Sequence, residues 1–504
     1  MVADLRAASA EWAATPVRAR TAALTAFLDD FVAGGQATAA AVAAATGKPP
    51  PAAMDEVVLT ASTGRHIAAH AGGWLAEEAR GGVLATGRRC VVRRVPLGVV
   101  GVIGPYNFPL SLTLPVALAA VTAGNGVLLK VSEATAGVGA AMEAALASCG
   151  GGVFARLVRV VYGAAAVGRA LTSTVDHVVF VGSVGVGRAV ASAAAARGVG
   201  CTLELGGKDP AIVLGGGGAA GMAAAARGIA HGAYYNAGQL CIGIERCFVL
   251  APTFDAFVAA LVAHVEKHVT AGWVPPGGAA PPGGSYTYGP AIVRGQLDHV
   301  AAVVGEAVAA GATVLTGGRP SACGRFYEPT VVTFPSLAAA SGTRLMEEET
   351  FGPVLPVVPV PDVDAAVAAA NGTPFGLNAS VWTPDLRAGE AVARRLYAGG
   401  VLVNETMLTG VVPSLPFGGV GASGMGRVGG KEGFLSLTTP QVVIVGHGPS
   451  AVEWRSGTSL AARWGMVRAL FGRRWSGVAV VREAVAAAVA AAWRWWKGGD
   501  KKDA

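Results

Sequence analysis

From Val95 onward the chain alternates short β-branched runs with longer alanine-rich segments, and this alternation constrains the fold more than any other feature. The apolar runs cover residues 99–103, 127–131, 157–161, 178–181, 202–205 and 211–214. Between them, residues 115–123, 134–147 and 188–196 have helical composition. Strands separated by helices pack as a mostly parallel sheet covered on both faces, so the expected class is doubly wound α/β. Such a sheet binds its ligand at the carboxyl ends of its strands. Upstream, residues 18–45 read as one alanine-rich helix, with Arg18, Leu24, Phe27, Leu28 and Phe31 at roughly helical spacing. A second α/β stretch runs from about 230 to 415. It is interrupted by the Pro-Gly-rich insertion 275–284, and the glycine run 215–218 is a further connector. At 504 residues, two or three domains are expected.

Charge is unevenly placed. Residues 451–504 hold ten Lys/Arg against four Asp/Glu, nearly all of the chain's formal +7, and six of its ten tryptophans. The first 450 residues are therefore near neutral, which argues against a nucleic-acid-binding body. Six cysteines stand at 90, 149, 201, 241, 247 and 323, with no CxxC pair and no histidine cluster beside them. That spacing excludes a disulfide scaffold and a zinc site, so no metal is expected and free thiols point to an intracellular protein. The start of the chain lacks a signal-type apolar core, and Asp4 and Glu11 argue against a transit peptide.

Two GxGxxG matches, at 216–221 and 419–424, are set aside, because neither stands at a strand-to-helix turn. The informative glycines lie in Phe180-Val-Gly-Ser-Val-Gly-Val-Gly187, which follows an apolar run and precedes a helix. Gly182, Gly185 and Gly187 would let backbone approach a ligand, and Ser183 would meet a phosphate at a helix N-terminus. A plain βα turn explains the same residues. In Asn236-Ala-Gly-Gln-Leu-Cys241 a glycine near a cysteine suits a nucleophilic thiolate, although an isolated cysteine is more often a small buried hydrophobe. Cys90, Cys201 and Cys247 read as buried residues of that kind. Glu204, inside Leu203-Glu-Leu-Gly-Gly-Lys208, is a carboxylate in an apolar strand, where burial demands either a role or an ion pair. Asn107, within Pro105-Tyr-Asn-Phe-Pro109, is either a turn residue or an amide aimed at a developing oxyanion.

Taken together, in order and spacing, these segments resemble the aldehyde dehydrogenase superfamily from about Trp12 to about residue 445. The match includes Lys130-Val-Ser-Glu133, Glu349-Thr-Phe-Gly-Pro353 and Pro416-Phe-Gly-Gly419. Details at 124–133, 182–187 and 202–209, with the C-terminal extension, are similar to the plant family-twenty-two enzymes and their fungal relatives. The resemblance implies oxidation of an aldehyde to a carboxylic acid with NAD, or with NADP as alternative cofactor. Cys241 would attack the aldehyde, Asn107 would hold the oxyanion, and Glu204 would activate the water that hydrolyses a thioester. Lys130 and Glu133 match the adenosine-ribose positions. Gly182, Ser183 and Gly187 match the pyrophosphate turn, and Glu349 and Phe351 the nicotinamide end. Glu133 would repel a 2′-phosphate, which favours NAD.

The resemblance also implies an aldehyde dehydrogenase fold. A Rossmann-like cofactor domain would span 1–77 and 97–204, and a catalytic domain 205–415. A small β oligomerisation flap would span 78–96 and 435–446, with strands at 88–95 and 441–445, in a homodimer or homotetramer. Departures are Tyr106 where tryptophan is common, Val184 and Gly185 in the phosphate turn, and Gly421 in place of a lysine. The helix near Arg18 also follows fewer residues than in other members. Apolar residues near the cysteine (Tyr106, Phe108, Leu240, Ile242 and Phe417) imply an apolar aldehyde. A CoA-acylating enzyme of the same fold would have no use for Glu204, and an idle scaffold none for Cys241, Glu204 and Asn107 together. The basic, tryptophan-rich tail, 450–504, combines indoles and cations over 464–497 as interfacial helices do. It suggests contact with a membrane surface, or packing on the enzyme or a neighbouring subunit.

Overall fold

Five of the expected strands align in parallel in a computed structural model that describes residues 1–81, 88–273 and 286–446. The insertion at 275–284 and the tail at 450–504, with its 464–497 segment, lie outside the described residues. The strands are β3 (Val99–Ile103), β4 (Gly126–Lys130), β5 (Val158–Val161), β6 (His177–Gly182) and β7 (Gly200–Leu205). Their order across the sheet is β5-β4-β3-β6-β7. The chain order therefore reverses between β3 and β6, the place where an open α/β sheet offers a crevice to a ligand.

Every residue of β3 and β4 is buried, because helices cover both faces. On one side Val100 and Val102 pack with Leu24, Phe27, Phe31 and Leu118. On the other, Val99 and Ile103 pack with Leu5, Leu171 and Val190 of three helices. Each such side chain contributes about 1.5–3 kcal/mol when fully buried, so alternation along β3 ties both helical layers to one strand. The helix expected over 18–45 is in fact two, Val17–Ala33 and Gly35–Thr46, and the chain breaks at Gly34. Uniform alanine carries little periodic signal, so this boundary was hidden until the second helix packed against Val57, 3.1 Å from where a Gly35 side chain would begin.

A sixth strand, β15 (Gly424–Met425), comes from far along the chain and pairs antiparallel with β7, with Gly424 opposite Glu204. Gly424 is required there: at φ +131 a Cβ would lie 2.0 Å from the Leu203 carbonyl oxygen.

The second sheet follows directly. Its seven strands are β8 (Asp209–Val213), β9 (Ile244–Leu250), β10 (Thr313–Thr316), β11 (Thr330–Thr333), β12 (Val354–Val360), β13 (Asn378–Trp382) and β14 (Gly400–Val403). They run β10-β11-β12-β9-β8-β13-β14, parallel except for β10. Both sheets belong to one compact unit, Met1–Ala76 with Arg94–Pro440. The other unit contains Glu77–Arg93 and the chain from Gln441. Its sheet joins β1 (Glu78–Ala79), β2 (Arg88–Pro96) and β16 (Thr438–Gly446) in that order.

Candidate active site

The loop that leaves β3 carries Asn107 and is pinned by a buried ion pair. Lys48 Nζ lies 2.6 Å from Glu56 Oε1, and the other Glu56 oxygen accepts the backbone N–H groups of Leu110 and Ser111 at 3.0 and 3.1 Å. The same ammonium stands 3.6 Å from the centre of the Phe108 ring. Asn107 is thereby held in the interior, and one N–H of its amide donates to the Gln239 carbonyl at 3.1 Å.

The segment that carries Cys241 turns through three successive left-handed residues, Asn236 (φ 51), Ala237 (φ 59) and Gly238 (φ 69). For the two non-glycine residues this conformation costs on the order of 1–3 kcal/mol each, so their surroundings must enforce it. Asn236 Nδ2 donates to the Gln239 carbonyl at 3.1 Å, and the Gln239 side chain bridges to Pro290 and Ile292. Gly238 lies against Gly352, whose oxygen would be 2.1 Å from any Cβ. That contact fastens the cysteine loop to the segment of Glu349 and Phe351.

Glu204, near the end of β7, is buried, and neither carboxylate oxygen has a hydrogen-bond partner among the described residues. The ion pair considered for it is therefore not formed. Burial pushes its pKa up to about 7, and the neighbouring Cys241 thiol opposes the rise. Burial, with the carboxylates of Glu204, Glu349 and Asp209, pushes the Cys241 thiol well above its ordinary value. Cys241 is half-buried, with its thiol beside the Glu204 carboxyl. Cys247 is buried as expected, whereas Cys90 on β2 and Cys201 on β7 are only half-buried.

Gly206 and Gly207 floor this space. A Cβ on Gly206 would fall 2.2 Å from Glu349 Oε2, and one on Gly207 2.7 Å from the Cys241 carbonyl oxygen. Glu349 accepts the Gly207 N–H at 3.2 Å, and burial and the Glu245 charge raise its pKa. Phe351, at φ 50, meets Tyr106 edge-on with ring centres 6.0 Å apart. The loop between them is held by Glu245, which accepts the N–H groups of Thr350 and Phe351 at 2.8 and 2.9 Å and pairs with buried Lys208 at 2.5 Å. Sequence reasoning passed over Lys48, Glu56, Lys208, Glu245 and Gln239. The available signal was a charged side chain inside an apolar stretch, as for Glu245 in β9.

The dinucleotide positions lie at the β3/β6 reversal and beside it. Ser183 precedes the helix Val184–Ala196 without its hydroxyl capping it, so the hydroxyl and the helix's first N–H groups are open to an anion. Gly185 has nothing within 4 Å of a would-be Cβ. Gly187 is buried, and a Cβ would strike Leu205 at 2.4 Å, so its lack of a side chain also permits helix–strand packing. Lys130 Nζ is 3.3 Å from Glu133 Oε2 at the end of β4. The Glu133 carboxyl is lowered by its own backbone N–H, and further by Lys130. These groups fit a dinucleotide with its pyrophosphate at Ser183 and its adenosine ribose at Lys130 and Glu133.

Comparison with known proteins agrees with this geometry. The aldehyde dehydrogenase family profile matches residues 1–443. A Mycolicibacterium smegmatis protein named as an NADP(+) succinate-semialdehyde dehydrogenase is 37% identical over 449 residues, covering 88% of this chain and 83% of that protein. A 4,4'-diapolycopene aldehyde oxidase from a Methylomonas species is 36% identical over 350 residues, 69% of this chain and 62% of that protein. The crystal structure of a Mycobacterium tuberculosis aldehyde dehydrogenase complexed with NAD+ superposes with a TM-score of 0.79 at 31% identity, covering 89% of this chain and 90% of that one. With a match over nearly all the described residues, and a buried carboxyl facing a thiol at the mouth of a doubly wound sheet, this chain belongs to the aldehyde dehydrogenase family.

Proposed function

We propose that the protein oxidises an apolar aldehyde to its carboxylic acid, with Cys241 as nucleophile, Asn107 as oxyanion donor and Glu204 as base. The observation that carries this reading is Glu204: a buried, unpartnered carboxyl pushed to about 7 beside the thiol. A general base works best when its pKa lies near the operating pH, and passing an acyl group to CoA requires no such base. Cys241 gives up its proton on attacking the carbonyl carbon, and Glu204 is the neighbouring group able to take it. The resulting oxyanion receives a side-chain N–H of Asn107 and the backbone N–H of Cys241. What the dinucleotide supplies when bound is a hydride acceptor, which leaves the acyl group as a thioester on Cys241. Once Glu204 has passed that proton to solvent, it removes a proton from water as the water oxygen adds to the thioester carbon, and the Cys241 sulfur departs and takes the proton back from Glu204.

Lys130, Glu133, Gly182, Ser183, Glu349 and Phe351 are proposed to hold the dinucleotide, with Gly187 setting the helix behind it. Glu133, exposed at the ribose position, supports NAD over NADP by charge repulsion of a 2′-phosphate. The apolar substrate is supported by the cluster of Phe108, Leu240, Ile242, Leu377 and Phe417 that packs around Cys241. The finer likeness to plant family-twenty-two enzymes rests on its motifs alone, whereas the relatives named above are bacterial. An apolar strand face, with Val442 and Ile444 each more than half exposed on β16, supports a homodimer or homotetramer. Six unpaired cysteines support an intracellular setting. Aldehyde-dependent formation of NADH or NADPH across short, long-chain and aromatic aldehydes tests the reading, and no turnover of any of them would refute it.

A further inference from the structure

The mouth of the substrate cluster has features the catalytic roles do not use. After β14 the chain enters a loop with Asn404 at φ 55 and Met407 at φ 62, then makes a single helical turn, Leu408–Val411. Asn404 is locked to Thr383 through both ends of its amide. Met407 packs in the same apolar cluster as Cys241 and Phe417. A left-handed methionine is strained by about 1–3 kcal/mol, so the loop is fixed in place by its neighbours. Within the turn, Gly410 faces inward: a Cβ there would lie 3.1 Å from Ile242 Cδ1 and 3.7 Å from the Phe417 ring. Leu408 and Val411, three residues apart and so on one face, point outward at 41% and 40% exposure, and Leu415 follows at 42%. The apolar lining beside the nucleophile thus continues through Gly410 to an exposed apolar rim.

Charge points the same way. Residues 105–112 and 232–244 contain no Lys, Arg, His, Asp or Glu, and residues 396–426 contain only Glu405. The nearby cation, Lys48, is buried against Glu56 and the Phe108 ring. At the edge of the cluster the Tyr235 hydroxyl donates to Asp55 at 2.9 Å, which adds another negative charge. Among the described residues the other cations bordering the cluster are already engaged: Arg427 donates to the Gly419 and Gly426 carbonyls, and the His231 ring lies against Tyr235 with burial lowering its pKa. An aldehyde ending in a carboxylate would therefore meet two acidic side chains and no open cation, and burying that charge is unfavourable.

We propose that the preferred substrates are uncharged long-chain aldehydes whose hydrocarbon tails lie over Leu408, Val411 and Leu415, and that a short aldehyde bearing a terminal carboxylate is a poor substrate. This rests on the dehydrogenase reading above. The test is kcat/KM of the full chain for propanal, pentanal, decanal and succinate semialdehyde, in wild type and in the double variant Leu408→Asp/Val411→Asp. In wild type, kcat/KM rises with chain length, by up to about fourfold per methylene where the tail is buried. Succinate semialdehyde falls well below pentanal. In the variant, the decanal-to-propanal ratio drops at least about tenfold, as expected from losing two or more buried methylenes. A wild-type rate that stays flat or falls with length, a ratio unchanged in the variant, or succinate semialdehyde preferred over pentanal would each overturn the proposal. Propanal turnover in wild type keeps the dehydrogenase reading separate from this outcome.

Discussion

Replacing Glu204 by glutamine tests the chemistry and the electrostatics together. The carboxyl is buried, lacks a hydrogen-bond partner, and titrates near 7 instead of its ordinary value of 4.5. Holding it charged in the folded state therefore costs about 3 kcal/mol. Between pH 4.5 and 7 the folded protein retains a proton that the unfolded chain has lost. Stability consequently falls as pH rises across that interval, with the full penalty present above 7. Glutamine is neutral at every pH and nearly the same shape, so Glu204→Gln should raise stability at pH 8 by up to about 3 kcal/mol, a Tm increase of a few degrees. The gain should vanish near pH 4.5. Catalysis should move the other way: steady-state turnover should fall by about 10²–10⁴-fold, the typical worth of a general base. The first-turnover burst should persist, with water taking the thiol proton in place of Glu204, and should leave the acyl mass on Cys241. The wild-type rate should rise through a limb near pH 7 that the variant lacks. Thermal melts at the two pH values, rapid-quench kinetics and intact-protein mass spectrometry read these outcomes. A variant that keeps the pH 7 limb, or melts no higher than wild type at pH 8, would refute the assignment of Glu204 as a buried base.

Other perturbations follow from the same site. Cys241→Ala should abolish turnover while dinucleotide binding, followed by fluorescence titration, survives, because the thiol makes the bond but holds no cofactor. Gly206→Ala places a methyl 2.2 Å from the Glu349 carboxylate. That carboxylate must swing away, so the KM for NAD should rise about tenfold or more with the fold preserved by circular dichroism, and an unchanged KM would contradict the floor described here. Lys208→Met leaves Glu245 buried without its cation. The expected loss is about 3–5 kcal/mol of stability by denaturant titration, with loosening of the Thr350–Phe351 loop. Ending the chain after residue 449 should abolish binding to anionic vesicles while activity on a short aldehyde remains. A full-length protein that ignores such vesicles at low salt would exclude the membrane role proposed for residues 464–497.

What the sequence determined by itself was the class of fold and the residue types of the chemistry. Short β-branched runs between alanine-rich segments can bury their backbones only as a parallel sheet under helices, so the doubly wound architecture was legible locally. Cys241 and Glu204 were marked by glycines in apolar surroundings and Asn107 by its place between Tyr106 and Phe108, but each had a plain structural reading, and their roles came from the order of the motifs along the chain. The break at Gly34 was not legible, since an alanine-rich run shows little periodicity. Nor was the packing role of Gly187, since a glycine reads alike whether it faces a ligand or Leu205. Tertiary structure alone decided that Glu204 is unpaired, and hence titrates near 7, because desolvation depends on what surrounds a group in space. It alone brought Gly424 beside Glu204, Gly238 against Gly352, and Glu56 beneath the Asn107 loop. Those contacts join residues from 54 to 220 positions apart, and no local pattern can encode which distant backbone will meet a given carboxylate.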